Sequence, residues 1–112
     1  MAEYKHRKQE HFICISLNGA NEVIKTRVIT VGLLDSSPVH LRKVFADVIS
    51  DRAAAVIFVH NHPSGNLKPS GPDSCIHHQL TAAADILGIR VLDNLIISAK
   101  GYFSFREAGL IN

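Results

Sequence analysis

Hydrophobic patterning begins at His11-Phe12-Ile13-Cys14-Ile15-Ser16-Leu17, whose aromatic and β-branched content predicts a strand. Asn18-Gly19, or the longer Asn18-Gly19-Ala20-Asn21, reads as a hairpin turn. A second strand is predicted from Val23 to Leu33, where Ile24, Thr26, Val28 and Thr30 alternate against Val23, Lys25, Arg27, Ile29 and Val31. Asp35-Ser36-Ser37-Pro38 is turn chemistry. The period then changes. Leu41, Val44, Phe45, Val48 and Ile49 recur at helical spacing, so His40 to Ser50 predicts a helix with one core-facing stripe. Ala55 to His60 is an apolar strand, and Asn61 to Pro69 reads as an irregular loop. Ser70 opens a helix that reaches about Leu87, with Gly88 at the C′ position. A strand from Ile89 to Ser98, a turn at Ala99-Lys100-Gly101 and a short strand at Tyr102-Phe103-Ser104-Phe105 complete the pattern. The order β-β-α-β-α-β-β predicts an α/β domain with a mixed sheet flanked by helices.

Size and charge narrow the functional classes. A chain of 112 residues makes one domain with a single core, here placed at 10–112 behind a charged, aperiodic leader at 1–9. The net charge of +2 sits mainly in Lys5-His6-Arg7-Lys8 of that leader. A nucleic-acid-binding module shows a stronger basic stripe, so strong DNA binding by this chain alone is not expected. Cys14 and Cys75 form neither a C-x-x-C pair nor a disulfide framework and suit a reduced cytoplasm, with Cys14 as a small core residue. The start, Met1-Ala2-Glu3-Tyr4-Lys5, is too polar for a signal peptide. No apolar run approaches the roughly 20 residues a membrane helix needs. The expectation is a soluble, cytoplasmic protein.

The candidate chemistry lies where the third strand ends. His60 and His62 flank Asn61, and residues two apart on a strand face the same way with Cα atoms about 6.5 Å apart. Both imidazoles can therefore aim at one ion while Asn61 points away. Pro63 cannot donate to a sheet ladder, so the strand should end there, at an accessible edge. Asp73 offers a hard oxygen from a separate element. Two histidines, one carboxylate and an open fourth position form the ligand set of a catalytic zinc site. Taken singly, each feature has a plainer reading. A histidine at a strand end is often half-buried and merely capped. Ser70-Gly71-Pro72-Asp73 is also a capping box, with Ser70 as N-cap and Asp73 at N3. The order and spacing together favour the metal.

His60-Asn61-His62-Pro63 followed by Ser70 and Asp73 resembles the signature of the JAB1/MPN/Mov34 (JAMM) metalloenzymes, H-x-H-P with S-x-x-D downstream. More narrowly, the run from Ala53 to Gly65 is similar to the RadC family, as are Ser36-Ser37, Val39-His40, Leu87-Gly88-Ile89 and Leu92 to Ile97. The resemblance spans about Glu10 to Glu107. It departs at Val39-His40-Leu41-Arg42-Lys43, where the family reads V-H-P-R-E, and at Gly71-Pro72, which replaces a charged pair. Both departures bear on helix starts and neither on a ligand. The resemblance implies a cytidine-deaminase-like JAB/MPN fold, one Zn²⁺ on His60, His62 and Asp73, and hydrolysis of a peptide or isopeptide bond. It also implies a glutamate base at the start of an early strand, where Glu10 stands, with Glu22 at the predicted hairpin as the rival. Ser70 matches the motif serine, which donates a hydrogen bond to the developing oxyanion.

Competing functions separate on the same residues. Zinc deaminases use H-x-E with P-C-x-x-C; this chain has His60-x-His62 and no such cysteine pair. RadC relatives carry a DNA-repair association, and longer members are expected to carry a helix-hairpin-helix region ahead of this domain. The alternative is thus an accessory or scaffold domain of a longer protein. His77, His78, Asp85 and Asp93 lie further along the chain, with the two histidines inside the second helix and away from the metal.

Overall fold

Alternate residues of a strand share a face, so Phe12 and Cys14 of one strand project beside Val56 and Phe58 of another, and helices close over them. The computed structural model describes residues 9–31 and 38–111. The elements run β1 (His11–Leu17), β2 (Val23–Val31), α1 (Pro38–Ser50), β3 (Ala55–Asn61), α2 (Gly71–Leu87), β4 (Arg90–Ser98) and β5 (Gly101–Ser104). The strands form one five-stranded sheet in the order β2-β1-β3-β4-β5. Only β3 and β4 pair in parallel, with α2 as their crossover; the other pairs are antiparallel. The molecule is therefore α/β with a mixed sheet, as the order of predicted elements implies.

Both helices feed one cluster. Val44, Phe45 and Val48 of α1 and Leu80 and Ala84 of α2 pack with Phe12, Cys14, Ile29, Val56 and Phe58. The opposite face carries a smaller cluster of Ile13, Val59 and Ile97, to which neither helix contributes. The two helices thus flank the sheet on the face that carries the main cluster. Cys14 lies 1 % exposed in the main cluster, where burial and the carboxylates of Asp51 and Asp47 push its thiol up to about 12. It is an inert core residue, as expected. Arg27 grips Asp51 with Nε at 3.1 Å and Nη2 at 2.6 Å, and Ser16 Oγ donates to the same carboxylate at 2.9 Å. That bidentate pair ties β2 and β1 to the chain just beyond α1.

Element ends follow local hydrogen bonding. β3 runs one residue past the predicted end, since the His62 N–H still donates to Ile97 O at 2.9 Å and only Pro63 lacks a donor. Ile89 stays out of β4 because its N–H donates to Ala84 O at the helix end. α1 starts at Pro38, two residues earlier than predicted, because proline is tolerated in a first helical turn. Residues 35–37 of the predicted turn, the last two residues of the predicted second strand and residues 1–8 of the predicted leader lie outside the described residues, and Pro38 of that turn belongs to α1. Gln9 is described, and its carbonyl is tied to Asn61. Among the described residues no helix is long and apolar enough to cross a membrane.

Gly88 ends α2 in the left-handed region, at φ 73°, with its N–H shared between Ala84 O and Asp85 O. A Cβ there would meet nothing within 4 Å, so only the backbone conformation opposes a side chain. Gly88→Ala is expected to lower stability by about 1 kcal/mol. Urea unfolding measures this; an unchanged midpoint would show that the cap relaxes without cost.

Candidate metal centre

Three chain segments meet at one end of the sheet's interior strands. β1 begins there, β3 ends there, and α2 starts from the loop that follows β3. The antiparallel register pairs Phe12 with His60, so carrying it two residues outward sets Glu10 beside His62. Asn61, whose side chain leaves the strand on the other face, fixes that approach. Its Oδ1 accepts from the His11 N–H at 2.5 Å and its Nδ2 donates to Gln9 O at 2.9 Å. One amide thus holds the backbone on both sides of Glu10.

α2 begins as the sequence predicts. Ser70 is the N-cap; its Oγ accepts from the Asp73 N–H at 3.1 Å, and Asp73 Oδ2 accepts from the Ser70 N–H at 2.8 Å. Pro72 sits in the first turn, so Gly71-Pro72 leaves the helix start intact. The capping box is also what aims Asp73. Its Oδ1 lies 3.5 Å from His60 Nε2 and its Oδ2 3.2 Å from His62 Nε2. Glu10, His60, His62 and Asp73 each present a ligand atom within 4.8 Å of the others, so the four could hold a metal ion.

The histidines are held by different means. The His60 ring is buried and stacks on Phe12 at 5.8 Å with 15° between planes, and neither of its nitrogens has a hydrogen-bond partner. His62 Nδ1 lies 2.6 Å from Asn66 O. A carbonyl only accepts, so Nδ1 carries the hydrogen and Nε2 keeps a lone pair. That lone pair faces a carboxylate oxygen, which also only accepts. Two acceptors at 3.2 Å repel unless a cation lies between them, either a proton on the imidazole or a metal ion. Gly65, at φ 86°, turns the loop back so that Asn66 can reach His62. Burial pushes the Asp73 pKa up, but His60 and the Ser70 hydrogen bonds outweigh it and hold the carboxyl far below its ordinary range. Asp73 is an anion at any neutral pH.

The cleft beside these groups is lined by Glu10, Phe12, His60, His62, Ser70 and Asp73, with Pro63, Pro72 and Ile76 among its apolar walls. The RadC-like JAB domain profile matches residues 1–110. This chain belongs to that family. Its relatives include UPF0758 proteins of Methanospirillum hungatei, 54% identical over 105 residues, and of Trichlorobacter lovleyi, 45% identical over 109. The alignments cover 94% and 97% of this chain but 47% of each relative. A third, from Bacillus licheniformis, is 40% identical over 111 residues, covering 99% of this chain and 50% of the relative. The chain spans about half the length of the curated relatives it matches.

Within this RadC-like domain the remaining candidates fall into place. Glu22 sits in the hairpin at the far end of β1, where its Oε1 accepts from Asn18 Nδ2 at 3.1 Å. Seven strand residues, roughly 20 Å at strand rise, separate it from Glu10. It does not join the metal group. Asp93 is structural: it accepts from Ser104 Oγ at 2.5 Å and from the Arg106 N–H at 3.1 Å, tying β4 to the end of β5. Asp85 is exposed on α2 and stands outside the group. His77 is buried, its ring 4.3 Å from that of Phe105, and His78 is exposed; neither belongs to the group that could hold a metal ion. Two contributors have no sequence signature at all. The Asn66 carbonyl is backbone, and Asn94 enters the cleft lining from β4.

Proposed function

We propose that this RadC-like domain is a zinc-dependent hydrolase that cleaves a peptide or isopeptide amide bond. The observation that carries the proposal is the His62–Asp73 contact, where an imidazole lone pair and a carboxylate oxygen converge and call for a cation. Zinc suits the donor set. A tetrahedral ion with bonds of about 2.0–2.1 Å sets its ligands about 3.4 Å apart, and the two histidine–aspartate separations are 3.5 and 3.2 Å. His60, His62 and Asp73 would be the protein ligands, leaving a fourth position toward the cleft. Bound zinc would lower the pKa of a water there to about 7 and polarise the scissile carbonyl.

The protein's own groups supply the rest. Glu10, fixed by the Asn61 amide, stands within reach of the same centre without being needed as a ligand. It would accept a proton from the attacking water and return it to the leaving amine. Ser70 accepts a hydrogen bond from the helix backbone, so its hydroxyl proton remains able to donate to a developing oxyanion. Phe12, Pro63, Pro72 and Ile76 give the cleft apolar walls against which an extended peptide would lie. A peptide is the proposed partner rather than DNA, given the net charge of +2, and the reduced cysteines suit a cytoplasmic setting.

Purified chain loaded with zinc and passed through a desalting column is expected to retain about one zinc per chain. Treatment with a strong chelator should remove it together with any hydrolysis of peptide or isopeptide substrates, and added zinc should restore both. Retention of no zinc at micromolar protein would overturn the proposal. So would hydrolysis that survives complete removal of metal.

A further inference from the structure

Among the described residues, the buried side-chain atoms without a hydrogen-bond partner are His60 Nδ1, His60 Nε2 and Asn94 Oδ1. Buried polar groups are nearly always satisfied, so each asks for an explanation. His60 Nε2 faces Asp73 and has one in the metal. If Nε2 ligates, the imidazole hydrogen must sit on Nδ1, which leaves one buried donor and one buried acceptor. Both residues line the same cleft. The parallel register pairs Phe58 with Asn94 and His60 with Ile96, so His60 and Asn94 are diagonal neighbours on one face of the sheet. Such neighbours lie about 8 Å apart from strand spacing and rise, a span that two side chains close through one water.

The orientation of Asn94 is set from behind. Its amide nitrogen lies 3.0 Å from His77 Nδ1. Burial, and then the neighbouring His78, oppose protonation of His77, so a neutral Nδ1 accepts and the amide N–H₂ donates. His77 in turn packs on Phe105. The amide cannot flip without facing a donor-less nitrogen with its oxygen, so Nδ2 stays on His77 and Oδ1 on the other side of the amide.

We propose that Asn94 is a positioning residue for the metal centre, holding His60 through a water-bridged hydrogen bond from His60 Nδ1–H to Asn94 Oδ1, with His77 fixing the amide. This rests on the metal-centre reading and extends it, since a ligating histidine that donates from its other nitrogen is locked in tautomer and ring angle. No sequence spacing marks the pair.

Zinc affinity measured by chelator competition on the full chain tests it. Asn94→Leu is expected to weaken zinc binding by about 10–100-fold. Asn94→Asp keeps the acceptor; its second carboxylate oxygen replaces the amide nitrogen at His77 Nδ1, which must then carry a hydrogen, so this variant should bind within a few-fold of wild type. A purely structural role would not move the second readout, the His60 Nδ1–H resonance of the zinc-loaded protein. It should be protected from exchange in wild type and Asn94→Asp and lost in Asn94→Leu. Asn94→Ala supplies the same comparison if Asn94→Leu does not fold. The proposal is overturned if the apolar variant binds zinc within twofold of wild type, or if Asn94→Asp is as weak as Asn94→Leu. Failure of wild type itself to bind zinc would instead remove the metal centre, and this inference with it.

Discussion

Glu10→Gln is expected to leave zinc binding within a few-fold of wild type while lowering amide hydrolysis by about 10²–10⁴-fold. The substitution is nearly isosteric, so it removes proton-accepting ability and little else. Glu10 is half-buried at the mouth of β1, and its backbone is held through Gln9 and His11 rather than through its own carboxylate. The variant should therefore fold with wild-type stability. The measurement is a pair: zinc per chain and turnover of an amide substrate on the same preparation. Zinc loss equal to that of a ligand variant would make Glu10 a fourth ligand, which its place in the group of four also permits chemically. Undiminished turnover would remove it from the chemistry altogether. The hairpin position of Glu22 gives that residue no route to replace it.

The parts of this site that were legible in the sequence are those that local geometry dictates. His60 and His62 share a direction because a strand has a period of two, and Pro63 marks where the ladder stops. Ser70 and Asp73 were legible as a capping box, and the metal reading does not compete with the capping reading, because the cap is what points the carboxylate at the histidines. Asn61 was legible only as a structural amide; its grip on Gln9 and His11 depends on the antiparallel pairing of β1 with β3, some fifty residues apart. Other features were beyond reach for a physical reason. An amphipathic stripe says that a helix buries one side but not which sheet face receives it, so the shared placement of α1 and α2 could not be read from Val44, Val48, Leu80 and Ala84. The Asn66 carbonyl carries no side-chain signal. Asn94 becomes a neighbour of His60 only through the parallel register of β3 and β4, which neither strand encodes alone.

The largest effect on metal binding is expected from the ligands, and Asp73 allows its two roles to be measured apart. Asp73→Asn keeps a side-chain oxygen that can accept from the Ser70 N–H, so the helix start should survive. A lost N-terminal cap interaction costs about 1 kcal/mol, and the apo variant should fall no further than that below wild type. The negative charge that faces both histidines is gone, however, and a neutral amide is a poor zinc ligand. Thermal unfolding with and without metal separates the roles through linkage. At free zinc 100-fold above its dissociation constant, wild type should gain about 2.7 kcal/mol. Asp73→Asn should gain almost nothing at the same zinc concentration. His62→Ala is the companion, since it removes a proposed ligand that takes no part in the cap. It should show an apo stability near wild type and the same missing response to zinc. A large apo destabilisation of Asp73→Asn with an intact zinc response would assign Asp73 to the helix cap alone, and the convergence on His60 and His62 would then be a by-product of folding.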